Sequence, residues 1–122
     1  MIIGIGCDVI QIPRIELLVK KFGQKFLQRI FSDLEMQSMI NGPNQFSYVA
    51  KRFAAKEAFS KAVGTGIGQA MKFNEIEILK TSSGKPVFSD KTQLLAGNNI
   101  NAFLSISDDY PIAIAYVILS TH

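Results

Sequence analysis

Residues 2–10 alternate so that Ile3, Ile5 and Cys7 share one face of a strand while Gly4, Gly6 and Asp8 share the other. That second face is nearly bare backbone and ends in a carboxylate. Glycines inside a strand mark the close approach of another backbone or of a ligand, so whatever covers this face must come within contact distance of the main chain. Pro13 ends the strand, and the apolar positions Ile15, Leu17, Leu18 and Phe22 predict a helix that runs to Gly23.

A second helical stretch covers residues 25–31, and Ser32 and Glu35 stand at capping-box spacing for a third. Asn41-Gly42-Pro43-Asn44 breaks that helix. A long helix is predicted over residues 46–63, stopped by the glycines of Gly64-Thr65-Gly66. Its residues Ala50, Ala54, Glu57 and Lys61 fall on one stripe at about 100° per residue, flanked by Val49, Phe53 and Phe59. Beyond it, residues 75–79 alternate as a half-buried strand, Thr81 to Pro86 form a turn, and Val87-Phe88 a short strand. Residues 90–96 read as a short helix. Residues 102–107 and 112–119 are the arms of a hairpin that turns across Asp108-Asp109-Tyr110-Pro111.

This order predicts an α+β fold, an antiparallel sheet packed against a long central helix, in one compact domain over residues 1–122. At 48% hydrophobic content the chain has enough apolar residues for a packed core. The lone Cys7 forms no internal disulfide, which favours a reducing compartment and, by default, the cytoplasm; a small core residue is its expected role. The opening residues lack the basic leader of a signal peptide, and the apolar run 112–119 is under half the roughly 20 residues a spanning helix needs. No membrane contact is expected.

Net charge is +3 but unevenly placed. Arg14, Lys20, Lys21, Lys25 and Arg29 oppose only Glu16 within residues 14–29, and Lys51, Arg52, Lys56, Lys61 and Lys72 oppose only Glu57 within 51–72. Residues 73–122 carry a net negative charge. Two basic segments imply two anionic contacts, unless the lysines are simply solvated surface.

Asp8 and Glu57 are the candidate chemical groups. Both are hard oxygen donors with small neighbours, which suits Mg²⁺ completed by water and substrate phosphate. The plainer alternatives are a strand-end turn for Asp8 and an i, i+4 bridge to Lys61 for Glu57. Lys56 and Lys61 flank Glu57, and Arg52 lies one turn before Lys56, a cation set that a polyphosphate needs. Gly64-Thr65-Gly66 offers backbone amides to a ligand or simply caps the helix. His122 is the sole histidine and the last residue, so a histidine relay is not expected. Tyr48, Tyr110 and Tyr116 follow core periodicity, which leaves a nucleic-acid module without support.

Three blocks carry a family resemblance. They are Gly6-Cys7-Asp8 with Arg14 after five spacers, Phe53-Ala54-Ala55-Lys56-Glu57-Ala58-Phe59-Ser60-Lys61-Ala62 with Gly64-Thr65-Gly66, and Ser105-Ile106-Ser107 before a strand containing Ala113 and Ala115; Gly84-Lys85-Pro86 matches a fourth, smaller turn. Together they resemble the holo-acyl-carrier-protein synthases, the small bacterial 4′-phosphopantetheinyl transferases. The resemblance implies transfer of the phosphopantetheine arm of coenzyme A to a serine hydroxyl of acyl carrier protein, with release of adenosine 3′,5′-bisphosphate. It implies Mg²⁺ on Asp8 and Glu57, and Lys61 on the phosphates. Coenzyme A contacts fall to Arg52, Lys61, Gly64, Thr65, Gly84, Lys85, Pro86 and Ser105. Arg14, Lys20, Lys21 and Lys25 are implied as the docking helix for the acidic carrier protein, within a homotrimer whose active sites lie between subunits. The serine proton passes to Glu57 directly or to a water held by the metal, and the sequence leaves both open. One position departs from the pattern: Asp108 stands where the family has histidine, near the coenzyme A phosphates. On that ground a relative that binds coenzyme A or carrier protein without transfer is the competing function, and a basic RNA-binding domain is a third. Asp108 either lies near the Mg²⁺ as an additional acid or turns to solvent in its loop, and the turn preference of Asp favours the second.

Overall fold

The computed structural model describes every residue except Ile40, Gln93, Ala96 and His122. Its elements are β1 (Ile2–Gln11), α1 (Ile12–Phe22), α2 (Gln24–Ile30), α3 (Asp33–Gln37), α4 (Gln45–Val63), a 3₁₀ turn (Phe73–Glu75), β2 (Ile78–Lys80), β3 (Pro86–Phe88), β4 (Ile100–Asp109) and β5 (Ile112–Thr121). Strands β1, β5 and β4 form an antiparallel sheet in that order, and β2 and β3 a separate two-stranded one.

The glycine face of β1 is where the long helix sits. A Cβ on Gly4 would collide with the carbonyl oxygen of Ala62, and one on Gly6 with that of Ala58. Another backbone, not a ligand, fills that face. The alanines on α4 serve the same contact: Ala54, Ala55, Ala58 and Ala62 are buried, as are Ala113, Ala115, Val117 and Leu119 on the matching face of β5. Small residues on both surfaces let helix and sheet lie backbone to backbone, and the removal of this apolar area from water is the main force holding them together.

The other face of the sheet is open. Ile3, Ile5, Val9, Phe103 and Tyr116 are exposed there, and Cys7 is exposed with them. The core role expected for Cys7 is therefore wrong, because period-2 alternation separates two faces without saying which one is covered. Tyr110 is exposed like Tyr116, whereas Tyr48 alone of the tyrosines is buried.

Ser32 caps α3 as expected: its hydroxyl accepts from the Glu35 amide at 3.2 Å, and Glu35 Oε1 accepts from the Ser32 amide at 2.8 Å. The strand expected at 75–79 shrinks to Ile78–Lys80 behind the 3₁₀ turn. Ile76 and Ile78 are buried as alternation requires, but so is Glu77, held by the Ser32 hydroxyl at 2.6 Å and by Thr92 Oγ1, which bonds both its main-chain amide and its carbonyl. The described residues of 90–96 form turns rather than a helix, with Gln93 and Ala96 outside the described set. His122 also lies outside it. The β4–β5 hairpin is longer than predicted, since Asp108 and Asp109 are strand residues that pair with Ala113 and Ile112. Among the described residues no helix is long and apolar enough to cross a membrane.

Candidate active site

The contact of Gly6 with Ala58 fixes the neighbours of both. Asp8 follows two residues later on the same strand face and Glu57 immediately precedes Ala58, so the backbone contact delivers two carboxylates to one edge of the helix–sheet seam. Lys61, one turn further along α4, donates to Asp8 Oδ1 at 3.0 Å and to the Cys7 carbonyl at 3.1 Å. The Asp8 side chain is 16% exposed and that of Lys61 51%.

Burial raises the proton affinity of Glu57, the Asp8 carboxylate raises it further, and Lys61 and Arg14 oppose both. The hydrogen bond to Asp8 holds the Lys61 ammonium above the usual lysine range. Glu57 and Lys61 thus belong to one charged cluster with Asp8, and the ion pair of Lys61 runs to Asp8 rather than along the helix. Among the described residues no three or more His, Cys, Asp or Glu side chains gather to hold a metal. The donor set is two carboxylates that repel one another, which fits an ion such as Mg²⁺ that completes its shell with water and substrate oxygens.

A groove of about 510 Å³ lies elsewhere, lined by Tyr48, Lys51, Arg52, Lys80, Gly84, Pro86 and Asp108 among others. Arg52 is only 5% exposed, its guanidinium lies over the Tyr48 ring at 5.0 Å, and its Nη1 is buried with no hydrogen-bond partner among the described residues. A buried donor without a partner costs about 1–3 kcal/mol, a cost that a bound anion would remove. Lys51 meets Asp108 at 3.4 Å in the same groove. Asp108 is exposed to solvent, as expected, but it stands in β4 opposite Ala113 and beside Lys51 rather than in a loop.

Of the predicted coenzyme A residues, Arg52, Gly84 and Pro86 meet in this groove. Lys85 shares their turn with an exposed side chain. Ser105 alternates with Ile106 and points to the open face of β4. The amides of Gly64 and Gly66 both donate to the Ser60 carbonyl, at 2.9 and 3.2 Å, and the Thr65 hydroxyl lies 3.1 Å from the Gly66 carbonyl. Those glycines cap the helix, and their amides are engaged by its last turn. Lys56 also departs from expectation: fully buried, it donates to Glu35 Oε1 and to the Ile30 carbonyl, each at 2.6 Å, and burial lowers its pKa to about 8 despite Glu35. It is a structural cation, not a phosphate ligand.

Tyr48 and Glu57 are nine residues apart, so at 3.6 residues per turn they stand roughly 180° apart around α4. Carboxylates and cation groove occupy opposite flanks of one helix. The basic residues of α1 and α2 divide as well. Lys20 pairs with Glu16 at 2.9 Å, Lys21 lies over the Phe22 ring at 5.3 Å, and the charge of Arg14 acts on Glu57. Lys25 and Arg29 border an apolar groove of about 830 Å³ floored by Leu18, Phe22, Phe26 and Phe53. The sequence signal for that groove is Phe22, an apolar residue left half exposed at the end of amphipathic α1.

A family profile described as the 4′-phosphopantetheinyl transferase superfamily matches residues 4–115. The holo-[acyl-carrier-protein] synthase of Ruthia magnifica is 44% identical over 99% of this chain and 98% of its own length, and that of Orientia tsutsugamushi 42% over 98% of each. The crystal structure of a holo-(acyl-carrier-protein) synthase from Bacillus anthracis in complex with CoA (3′,5′-ADP) superposes with a TM-score of 0.87 at 39% identity, covering 100% of this chain and 99% of that one. The fold thus recurs in a protein whose sequence matches from end to end, and the chain belongs to the holo-acyl-carrier-protein synthases, enzymes of the 4′-phosphopantetheinyl transferase superfamily.

Proposed function

We propose that this chain, acting as one transferase domain in the cytoplasm, moves the 4′-phosphopantetheine group of coenzyme A to a serine hydroxyl of acyl carrier protein. The observation that carries the reading is the cluster of Asp8, Glu57 and Lys61 at the β1–α4 seam. The serine oxygen bonds to the pantetheine-side phosphorus of the pyrophosphate, and the bond from that phosphorus to the bridging oxygen breaks, releasing adenosine 3′,5′-bisphosphate. Asp8 and Glu57 hold Mg²⁺, which when bound neutralises charge on the pyrophosphate. Lys61, half exposed on a flexible stem, reaches the same phosphates as a point charge. Glu57 is the chain's own acceptor for the serine proton.

The cationic groove around Arg52 takes the nucleotide end of coenzyme A, with Gly84 and Pro86 in its wall. The basic rim of α1 and α2, with Lys21 over the Phe22 ring and Lys25 and Arg29 bordering the apolar groove, receives the acidic carrier by electrostatic steering followed by apolar contact. A homotrimer with shared sites is supported by two features. The sheet leaves Ile3, Ile5, Val9, Phe103 and Tyr116 uncovered, an apolar patch of the kind that marks an interface, and carboxylates and groove lie on opposite flanks of α4.

Mass spectrometry of apo acyl carrier protein after incubation with coenzyme A, Mg²⁺ and this chain tests the reading. A mass gain of one phosphopantetheine group is expected. Coenzyme A binding with no mass gain would favour the second reading, a binder without transfer, for which the carboxylate of Asp108 among the groove's cations is the motivating observation.

A further inference from the structure

Lys61 occupies an unusual position for a phosphate-binding lysine, because its ammonium is already engaged. It donates to Asp8 Oδ1 at 3.0 Å and to the Cys7 carbonyl at 3.1 Å, and its charge acts on Glu57 as well. A monovalent cation carried by the chain thus sits on one of the two carboxylates assigned to the divalent one, and the two cations draw on the same negative charge.

We propose that Lys61 is an exchangeable internal counter-ion: it neutralises the carboxylate pair while the metal is absent, yields Asp8 when the metal arrives, and is thereby released toward the phosphates of the incoming substrate. The inference rests on the two-carboxylate metal site proposed above. Two features carry it beside the contact itself. The pair is partly exposed, so it is weak and readily broken. The lysine stem swings its ammonium by several ångströms without moving α4.

The exchange has a signature that a lysine reaching only for phosphate lacks. In the absence of coenzyme A it makes the lysine a competitor of the metal, so deleting the ammonium should tighten metal binding rather than weaken it. Titration of the full chain with Mn²⁺, followed by electron paramagnetic resonance of the free ion, reads this directly. Lys61→Met is expected to bind Mn²⁺ about two- to fivefold more tightly than the parent, the range set by one exposed ion pair, whereas Lys61→Arg stays near the parent. Arg14→Met separates contact from general field, since Arg14 acts on Glu57 without bonding Asp8; its gain should be smaller than that of Lys61→Met. Equal or weaker binding in Lys61→Met overturns the exchange, as does an equal gain in Arg14→Met. Mn²⁺ binding that Asp8→Asn leaves unchanged, or no binding by any of these chains, overturns the metal assignment itself and the exchange with it.

Discussion

Lys56 and Glu57 are adjacent in sequence and opposite in circumstance, because 100° of helix separates a buried ion pair from an active-site edge. Lys56 joins α4 to the end of α2 through the Ile30 carbonyl and to α3 through Glu35, whose second oxygen accepts the Ile78 amide of β2 at 2.9 Å. Removing the ammonium strands a buried carboxylate, so Lys56→Met should cost about 3–5 kcal/mol in urea unfolding. The pair also fixes a pH trend. With its folded-state pKa near 8 and its ordinary value at 10.5, Lys56 is a penalty on the folded state below pH 8 that is relieved as pH rises toward 10.5. Its own contribution to stability therefore increases across that window, by at most about 3 kcal/mol. The increase should be missing from Lys56→Met, and identical pH slopes for the two proteins would contradict it. At the site, Asp8→Ala and Glu57→Ala should each abolish Mg²⁺-dependent transfer with little change in unfolding midpoint, since neither side chain belongs to the core. Asp108→Asn frees Lys51 from its 3.4 Å partner. KM for coenzyme A should fall while kcat stays within a few-fold; a hundredfold loss in kcat, about 2.7 kcal/mol of barrier, would place Asp108 in the chemistry instead.

At the scale of elements, α1 and α2 present their charge separately from the nucleotide groove. Lys21→Glu with Lys25→Glu should raise KM for the carrier about tenfold or more at low salt, less as salt screens the contact, and leave coenzyme A affinity by calorimetry unchanged. A parallel loss of coenzyme A affinity would merge the two anionic contacts into one. The elements themselves were largely legible from the chain, and for local reasons: the Ser32–Glu35 capping box, the Gly64 stop and the glycine face of β1 each act over a few residues. What escaped depended on partners distant in sequence. Lys56 is read as a site cation until Glu35, 21 residues away, is seen to hold it. Glu77 alternates as an exposed strand position, yet Ser32, 45 residues away, takes it inside. Cys7 and Tyr116 are apolar enough for a core, and no local pattern announces that their face of the sheet is open. The carboxylate pair was legible because a residue type and a glycine spacing marked it, whereas the buried, unpartnered guanidinium of Arg52 is a property of packing alone.

On the reading proposed above, one substrate must reach both flanks of α4. Tyr48 and Arg52 face the groove on one side, while Glu57 and Lys61 face Asp8 and Arg14 on the other. If copies of the chain join through the open apolar face of the sheet and so bring the groove of one beside the carboxylates of the next, each site draws on two chains. Ile5→Glu, which puts a charge in the middle of that face, should then yield monomers by light scattering and remove transfer without touching any site residue. Complementation is the sharper measurement. Asp8→Ala and Arg52→Glu chains should each be inactive alone, but when they are co-expressed and assembled at random, one interface in four combines an intact Asp8 with an intact Arg52. About a quarter of parental activity should return. A site completed within one chain would recover nothing on mixing, because every chain present would carry one of the two lesions.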